Sequence, residues 1–178
     1  MHDFASAHTR FQFCPQCGLP GRSSNERFFE CTGCTFRLYF NNTVAVAVLA
    51  INSKGELLFI RRARDPGKGK LAMPGGFVDA DETAEDAARR EVREELGVEV
   101  GAVHFLCTAP NTYPYRGILY TVCDLFFIAE LPEQSFTLAP REVSSVLWLD
   151  PQIVDLEEIA FPSMQAALTL YRTRREAG

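Results

Sequence analysis

Between Thr43 and Ile51 the chain alternates valine with alanine and then runs into leucine and isoleucine, the pattern of a buried strand. Asn52-Ser53-Lys54-Gly55 reads as a turn and Glu56 to Arg61 as the returning strand, so the pair predicts a hairpin. Asp65-Pro66-Gly67-Lys68-Gly69-Lys70 is a flexible basic loop, and Leu71-Ala72-Met73 is a short strand feeding the tight turn at Pro74-Gly75-Gly76. The period then changes: Ala84, Ala87, Ala88, Val92 and Leu96 recur at helical spacing. Asp81 or Thr83 can cap the N-terminus, and Gly97 follows the last apolar residue, where a left-handed cap is easiest for glycine. A helix is therefore expected over 83–96. Strand-like runs follow at 98–108 and 118–131, separated by an irregular Ala109 to Gly117, with a further strand from Val143 to Leu149. Phe161 to Arg174 predicts a final helix with Met164, Ala167, Leu168 and Tyr171 on its apolar face and Arg172, Arg174 and Arg175 at its negative end. Strands before and after one central helix, closed by a second, predict an α/β fold with a mixed sheet between helices.

Ahead of this pattern, residues 1–12 read as a loose lead-in anchored by Phe11 or Phe13. Cys14, Cys17, Cys31 and Cys34 then form two C-x2-C pairs thirteen residues apart. Each pair offers two thiolates to one tetrahedral zinc, and an all-cysteine set leaves no open position for catalysis. The pattern resembles a zinc ribbon, with a redox or iron site as the rival reading. Arg27-Phe28-Phe29-Glu30 can form a short strand within it. So small a module buries too little apolar surface alone, and zinc binding, on the order of 10 kcal/mol in small zinc peptides, supplies the folding energy. The expected boundary places the ribbon at 1–40 and the larger domain at 41–178. Cys107 and Cys123 stand alone in apolar runs and read as core thiols.

The chain has 178 residues, enough for one sizeable core and a small appendage. Its net charge of −5 does not suggest a general nucleic-acid or membrane-surface binder. No apolar run reaches the length of a spanning helix, and the first residues lack an apolar signal core. A cytoplasmic location with no membrane partner is the expectation.

Glu91, Glu94 and Glu95 lie at i, i+3 and i+4 and share one helix face. Like charges at that spacing repel. They describe either a solvated acidic face or a site for a hard divalent cation, which takes several oxygen ligands at once. The turn at Gly75-Gly76 just before the helix lets backbone approach a ligand closely.

Gly76, Glu82 six positions on, and then Arg90-Glu91-Val92-Arg93-Glu94-Glu95-Leu96-Gly97-Val98 match the Nudix box at every fixed position. The chain therefore resembles the Nudix hydrolases, and the likeness extends more loosely over about 43–175. The resemblance implies an α/β/α sandwich and a magnesium- or manganese-dependent enzyme that cleaves nucleoside diphosphates linked to another moiety. It implies Glu91, Glu94 and Glu95 as metal ligands, with the Gly76 carbonyl as a further oxygen. Glu91 or Glu95 would orient or deprotonate the attacking water. Arg90 would hold a glutamate in place, and Glu82 would support the loop or a further metal. An additional acidic residue often completes such sites, and Glu142 is the candidate.

Substrate contacts are less sharply drawn. Arg61, Arg62 and Arg64 can meet phosphate oxygens or lie solvated at the surface. Tyr113 and Tyr115, in Asn111-Thr112-Tyr113-Pro114-Tyr115-Arg116-Gly117, can stack on a base or merely anchor a hairpin. A ribbon before a Nudix domain is similar to the arrangement in NADH pyrophosphatases. Their Ser-Gln-Pro-Trp-Pro-Phe-like stretch is missing here, and Asn111–Tyr115 stands in the comparable place. Dinucleotide or ADP-ribose-like substrates are preferred, Pro110 and Pro114 being weak markers for the latter. The alternative is a nucleotide-sensing binding module that uses the ribbon for nucleic acid or a protein partner. With only Arg22, Arg27 and Arg37 in and beside the ribbon, nucleic acid is not expected. A homodimer braced by the ribbon is a further option.

Overall fold

The structure, a computed structural model, describes residues 4–24 and 27–177. Two compact units result. One takes the described residues up to Thr43 together with Thr112–Val122, and the other takes Val44–Asn111 and the chain from Cys123 onward.

In the first unit, strand β1 (Ala5–Ser6) and a helical turn α1 (Ala7–Arg10) precede an antiparallel three-stranded sheet. Its strands are β2 (Gly21–Ser24), β3 (Phe28–Cys31) and β4 (Arg37–Tyr39). The two-residue period sends Phe29 inward, where it is fully buried with Cys14 and Cys31 and packed by Phe11, Phe36, Leu38 and Phe40. Gly21 stands opposite Cys31, and a Cβ there would come within 2.1 Å of the Phe29 ring. The close approach of β2 to that ring thus requires glycine. Residues 5–10 form a strand and a helical turn where a loose segment was expected over 1–12, of which 1–3 lie outside the described residues. β1 pairs in parallel with Ile118 and Leu119, more than a hundred positions away, a partner that no local pattern announces.

The second unit is built on β5 (Thr43–Ile51), β6 (Leu57–Arg62), β7 (Leu71–Ala72) and β8 (Gly75–Phe77). Helix α2 (Ala84–Leu96), long strands β9 (Val103–Tyr115) and β10 (Ile118–Glu130), β11 (Val143–Leu149) and helix α3 (Pro162–Ala177) complete it. The sheet runs β10-β5-β6-β11, with β8 on β5, β7 on β6 and β9 on β10. Together with the parallel β1–β10 pair it is a mixed sheet in an α/β/α sandwich. Val48, Leu49, Leu58, Phe59, Phe126 and Phe127 are buried in it.

Helix α2 starts one residue later than expected. Thr83 is its N-cap and accepts from the Asp86 N–H. Asp81 instead takes a left-handed conformation in the loop, φ 69°. Gly97 closes the helix at φ 70°, donating its N–H to the Arg93 carbonyl. Ala87, Ala88, Val92 and Leu96 face the core with no exposure.

Two strand boundaries differ from the sequence pattern. Val98 and Val100 are buried without joining a ladder, so β9 begins only at Val103. The segment expected to be irregular, 109–117, continues as strand up to a tight turn at Arg116 and Gly117, both at positive φ. Pro110 and Pro114 suggested a loop. They share one parity on a strand that pairs only with β10, so their missing N–H groups fit the unpaired edge.

Candidate active site

The box residues cluster where β8 meets α2. Gly76 pairs with Val46 in the sheet, and Gly75 packs so tightly that a Cβ would lie 2.1 Å from the Val46 carbonyl oxygen. At Gly76 a Cβ would lie 2.4 Å from Glu91 Oε1. The two glycines let the strand lie directly against the glutamates of the helix. The Gly75 N–H donates to Glu95 Oε2 at 3.0 Å.

Glu95 is only 4% exposed. Burial pushes its carboxyl up to about 8; the Gly75 N–H opposes this, and repulsion from Glu91 and Glu142 adds to it. Glu91 is shifted upward too, first by burial, with Arg90 opposing and Glu94 and Glu142 reinforcing. Glu142 thus lies close enough to act on both. It is placed by backbone bonds of the 137–143 loop, in which the Thr137 and Ala139 N–H groups donate to the carbonyls of Leu96 and Glu95 at the helix end. Its own carboxylate pairs with Arg64 at 3.1 Å.

Arg90 joins loop to helix. Its guanidinium meets Glu82 at 2.7 Å, Glu91 at 2.8 Å and Glu94 at 3.3 Å, and donates to the Phe77 carbonyl at 2.9 Å. Glu82 also accepts from the Asp79 N–H, and Arg90 holds its carboxyl below the ordinary carboxylate range. Glu94 is largely exposed, at 58% of its side chain.

These carboxylates fit a divalent cation by the chemistry of the donor set. Glu91, Glu95 and Glu142 are hard oxygen donors that act electrostatically on one another, and burial, with repulsion adding to it, raises the proton affinity of Glu91 and Glu95. They do not converge as tightly as the cysteines, because Arg90 sits among Glu82, Glu91 and Glu94.

In the first unit Cys14, Cys17, Cys31 and Cys34 bring their Sγ atoms within 4.8 Å of one another. Among the described residues they alone meet that criterion for a metal-holding group. Cys14–Cys34 and Cys17–Cys31 separations of 3.8 and 3.5 Å approach the edge of about 3.8 Å set by a tetrahedron of Zn–S bonds near 2.3 Å. The Gly33 N–H donates to Cys31 Sγ at 3.3 Å, as it would to a thiolate.

The predicted substrate contacts divide between the units. Arg61 donates to the Gly69 carbonyl and lies 3.9 Å from Glu158. Arg62 donates to the Pro66 carbonyl, stacks over Phe161 and acts electrostatically on Glu95. Both arginines therefore brace the basic loop next to the carboxylates. Tyr113 and Tyr115 lie on the hairpin tip that belongs to the first unit, with Arg116 over the Tyr115 ring at 5.2 Å. Sequence reasoning missed the roles of the Gly75 N–H and the Phe77 carbonyl. Both are backbone groups, and only the glycine pair hinted at them.

A fold of this kind with a glutamate-bearing helix behind a double-glycine strand defines a Nudix protein, and the comparisons agree. The NUDIX domain profile matches residues 41–169, and the chain belongs to the Nudix hydrolase family. The chain is 33% identical over 152 residues to the NAD-capped RNA hydrolase NudC of Deinococcus radiodurans, covering 82% of this chain and 50% of that protein. It is 44% identical over 63 residues to an ADP-ribose pyrophosphatase of Methanocaldococcus jannaschii, covering 35% of this chain and 37% of that one. The chain thus spans about half the length, or less, of these curated relatives. Among solved structures, a NUDIX hydrolase from Nitrosomonas europaea aligns over 94% of this chain and 93% of its own, with a TM-score of 0.73 and 26% identity. Among the described residues no helix is long and apolar enough to cross a membrane.

Proposed function

We propose that the chain hydrolyses the pyrophosphate of a nucleoside diphosphate joined to another group, with dinucleotide or ADP-ribose-like substrates preferred. The observation that carries this reading is the burial of Glu95 against Glu91 and Glu142, a concentration of carboxylate that makes sense around a cation and an attacking water. The names of the relatives from Deinococcus radiodurans and Methanocaldococcus jannaschii support the substrate class.

Glu91, Glu94 and Glu95 would hold magnesium or manganese, with Glu142 and the Gly76 carbonyl as further oxygens. Such an ion, when bound, lowers the pKa of water and neutralises phosphate charge. Glu91 or Glu95 takes the proton of the attacking water. The water oxygen bonds to one phosphorus, the bridging P–O bond breaks, and a nucleoside monophosphate leaves with a second phosphate-bearing fragment. Arg90 and Glu82 position the glutamates. Arg61 and Arg62 receive phosphate oxygens, and Tyr113 and Tyr115 receive a base. Cys14, Cys17, Cys31 and Cys34 hold a structural zinc, in a ribbon we assign to 1–40, with the Nudix domain at 41–178.

The test is a product-resolved turnover panel with the zinc-loaded protein in magnesium and in manganese. It covers NADH, NAD, ADP-ribose, diadenosine polyphosphates, FAD and nucleoside triphosphates. The expected result is one diphosphate-linked substrate cleaved far faster than the triphosphates. Negligible turnover of every compound under both metals overturns the reading.

A further inference from the structure

The first unit contains a cleft of about 860 Å³ whose described lining residues belong to that unit. Its origin is the alternation of the ribbon sheet. Phe29 and Leu38 point to the cysteine core, so their neighbours Phe28 and Tyr39, cross-strand partners, face the other way. Their rings meet at 5.7 Å, and Arg37 covers the Phe28 ring at 4.7 Å. Tyr39 stays 56% exposed. The hairpin tip contributes Tyr120, and the junction before β5 contributes Asn41 and Asn42.

Among the described residues, the side chains of Arg27, Asn41 and Asn42 make no hydrogen bond or ion pair. No carboxylate among the described residues lines the cleft, although the chain as a whole carries a net charge of −5. The size is that of a small-molecule site. Aromatic walls accept a flat ring, side-chain amides read the donor and acceptor edge of that ring, and a guanidinium receives a phosphate. A lipid chain would find too many amides here, and a cation would find no acid among the described lining residues.

We propose that this cleft is a second binding site, for a nucleotide, with its base against Tyr39 and Tyr120, the base edge at Asn41 and Asn42, and its phosphate at Arg27. The same chemistry is offered by a free nucleotide and by a nucleotide within single-stranded RNA. The choice of nucleotide rests on the substrate class proposed above. The site itself is read by binding and not by turnover, so the two readings fail separately.

The experiment is calorimetric titration of the zinc-loaded full chain, without magnesium, using AMP and a ten-nucleotide oligo(A) RNA as probes. At least one probe is expected to bind, and the Arg27→Ala/Tyr39→Ala double variant is expected to weaken that binding at least tenfold, while Tyr39→Phe stays within threefold. A response with AMP assigns the site to free nucleotides, and a response confined to the oligonucleotide assigns it to a strand. Glu95→Gln is expected to leave this binding intact while removing turnover. If the double variant fails to retain zinc, photo-crosslinking of 8-azido-AMP to the unaltered chain reads the same site, with label expected on the peptides carrying Tyr39, Asn42 or Tyr120. Absence of binding by both probes, affinity unchanged in a zinc-retaining double variant, or label confined to residues 44–111 and 123–178 overturns the proposal.

Discussion

Glu95 lies buried beside two other carboxylates, with one backbone N–H as its hydrogen-bond donor. A neutral amide of the same shape keeps that bond and removes the repulsion. Glu95→Gln is therefore expected to lower kcat by at least roughly a hundredfold, since removal of a group that acts at the reacting centre costs on that scale. The same variant is expected to melt at a higher temperature than the parent in magnesium-free buffer. Paired turnover and thermal-melt measurements check both halves, and an equally active variant removes Glu95 from the mechanism. That Glu91, Glu94 and Glu95 share one helix face could be read from their spacing in the sequence. Their partners were less legible. Arg90 is adjacent in sequence, yet its bonds to Glu82 and the Phe77 carbonyl depend on how the loop folds back.

At the scale of elements, α2 was legible almost to the residue because its apolar period, its Thr83 cap and its glycine stop agree with one another. Gly97 carries the stop. A Cβ there would meet the left-handed backbone and Thr137 at 2.7 Å. Gly97→Ala is expected to cost about 1–2 kcal/mol, seen as a lower urea midpoint at unchanged slope. The β9–β10 hairpin was not legible across its distal half. Its prolines and tyrosines have the composition of a loop, and only the edge position of β9 makes them compatible with a strand. The assignment of Thr112–Val122 to the first unit was equally hidden, since it comes from contacts distant in sequence.

Across the whole molecule, Asp124 ties β10 to β9 and α3, accepting from Asn111 at 2.8 Å and from the Ser163 hydroxyl. Burial pushes its carboxyl up, with both hydrogen bonds opposing. The folded state thus holds the proton more tightly than the unfolded chain. The stabilisation is fully present below the unfolded carboxylate pKa of about 3.9 and is lost as pH rises through the folded value. Asp124→Asn, whose amide oxygen still accepts both bonds, is expected to raise the melting temperature at pH 8 and to do so much less at pH 4. Equal shifts at the two pH values would show that Asp124 is not charged at pH 8. Arg90 has a consequence at this same scale. A guanidinium already shared among Glu82, Glu91 and Glu94 lets the acidic cluster fold with no ion present. The four thiols of the ribbon have no such stand-in. On the proposed function, one metal would then be a condition of the chain's birth and the other a condition of its daily operation. Withdrawing magnesium is expected to silence turnover with only a small fall in melting temperature and full recovery on re-addition. A zinc-selective chelator is expected to lower the melting temperature, with recovery delayed by refolding.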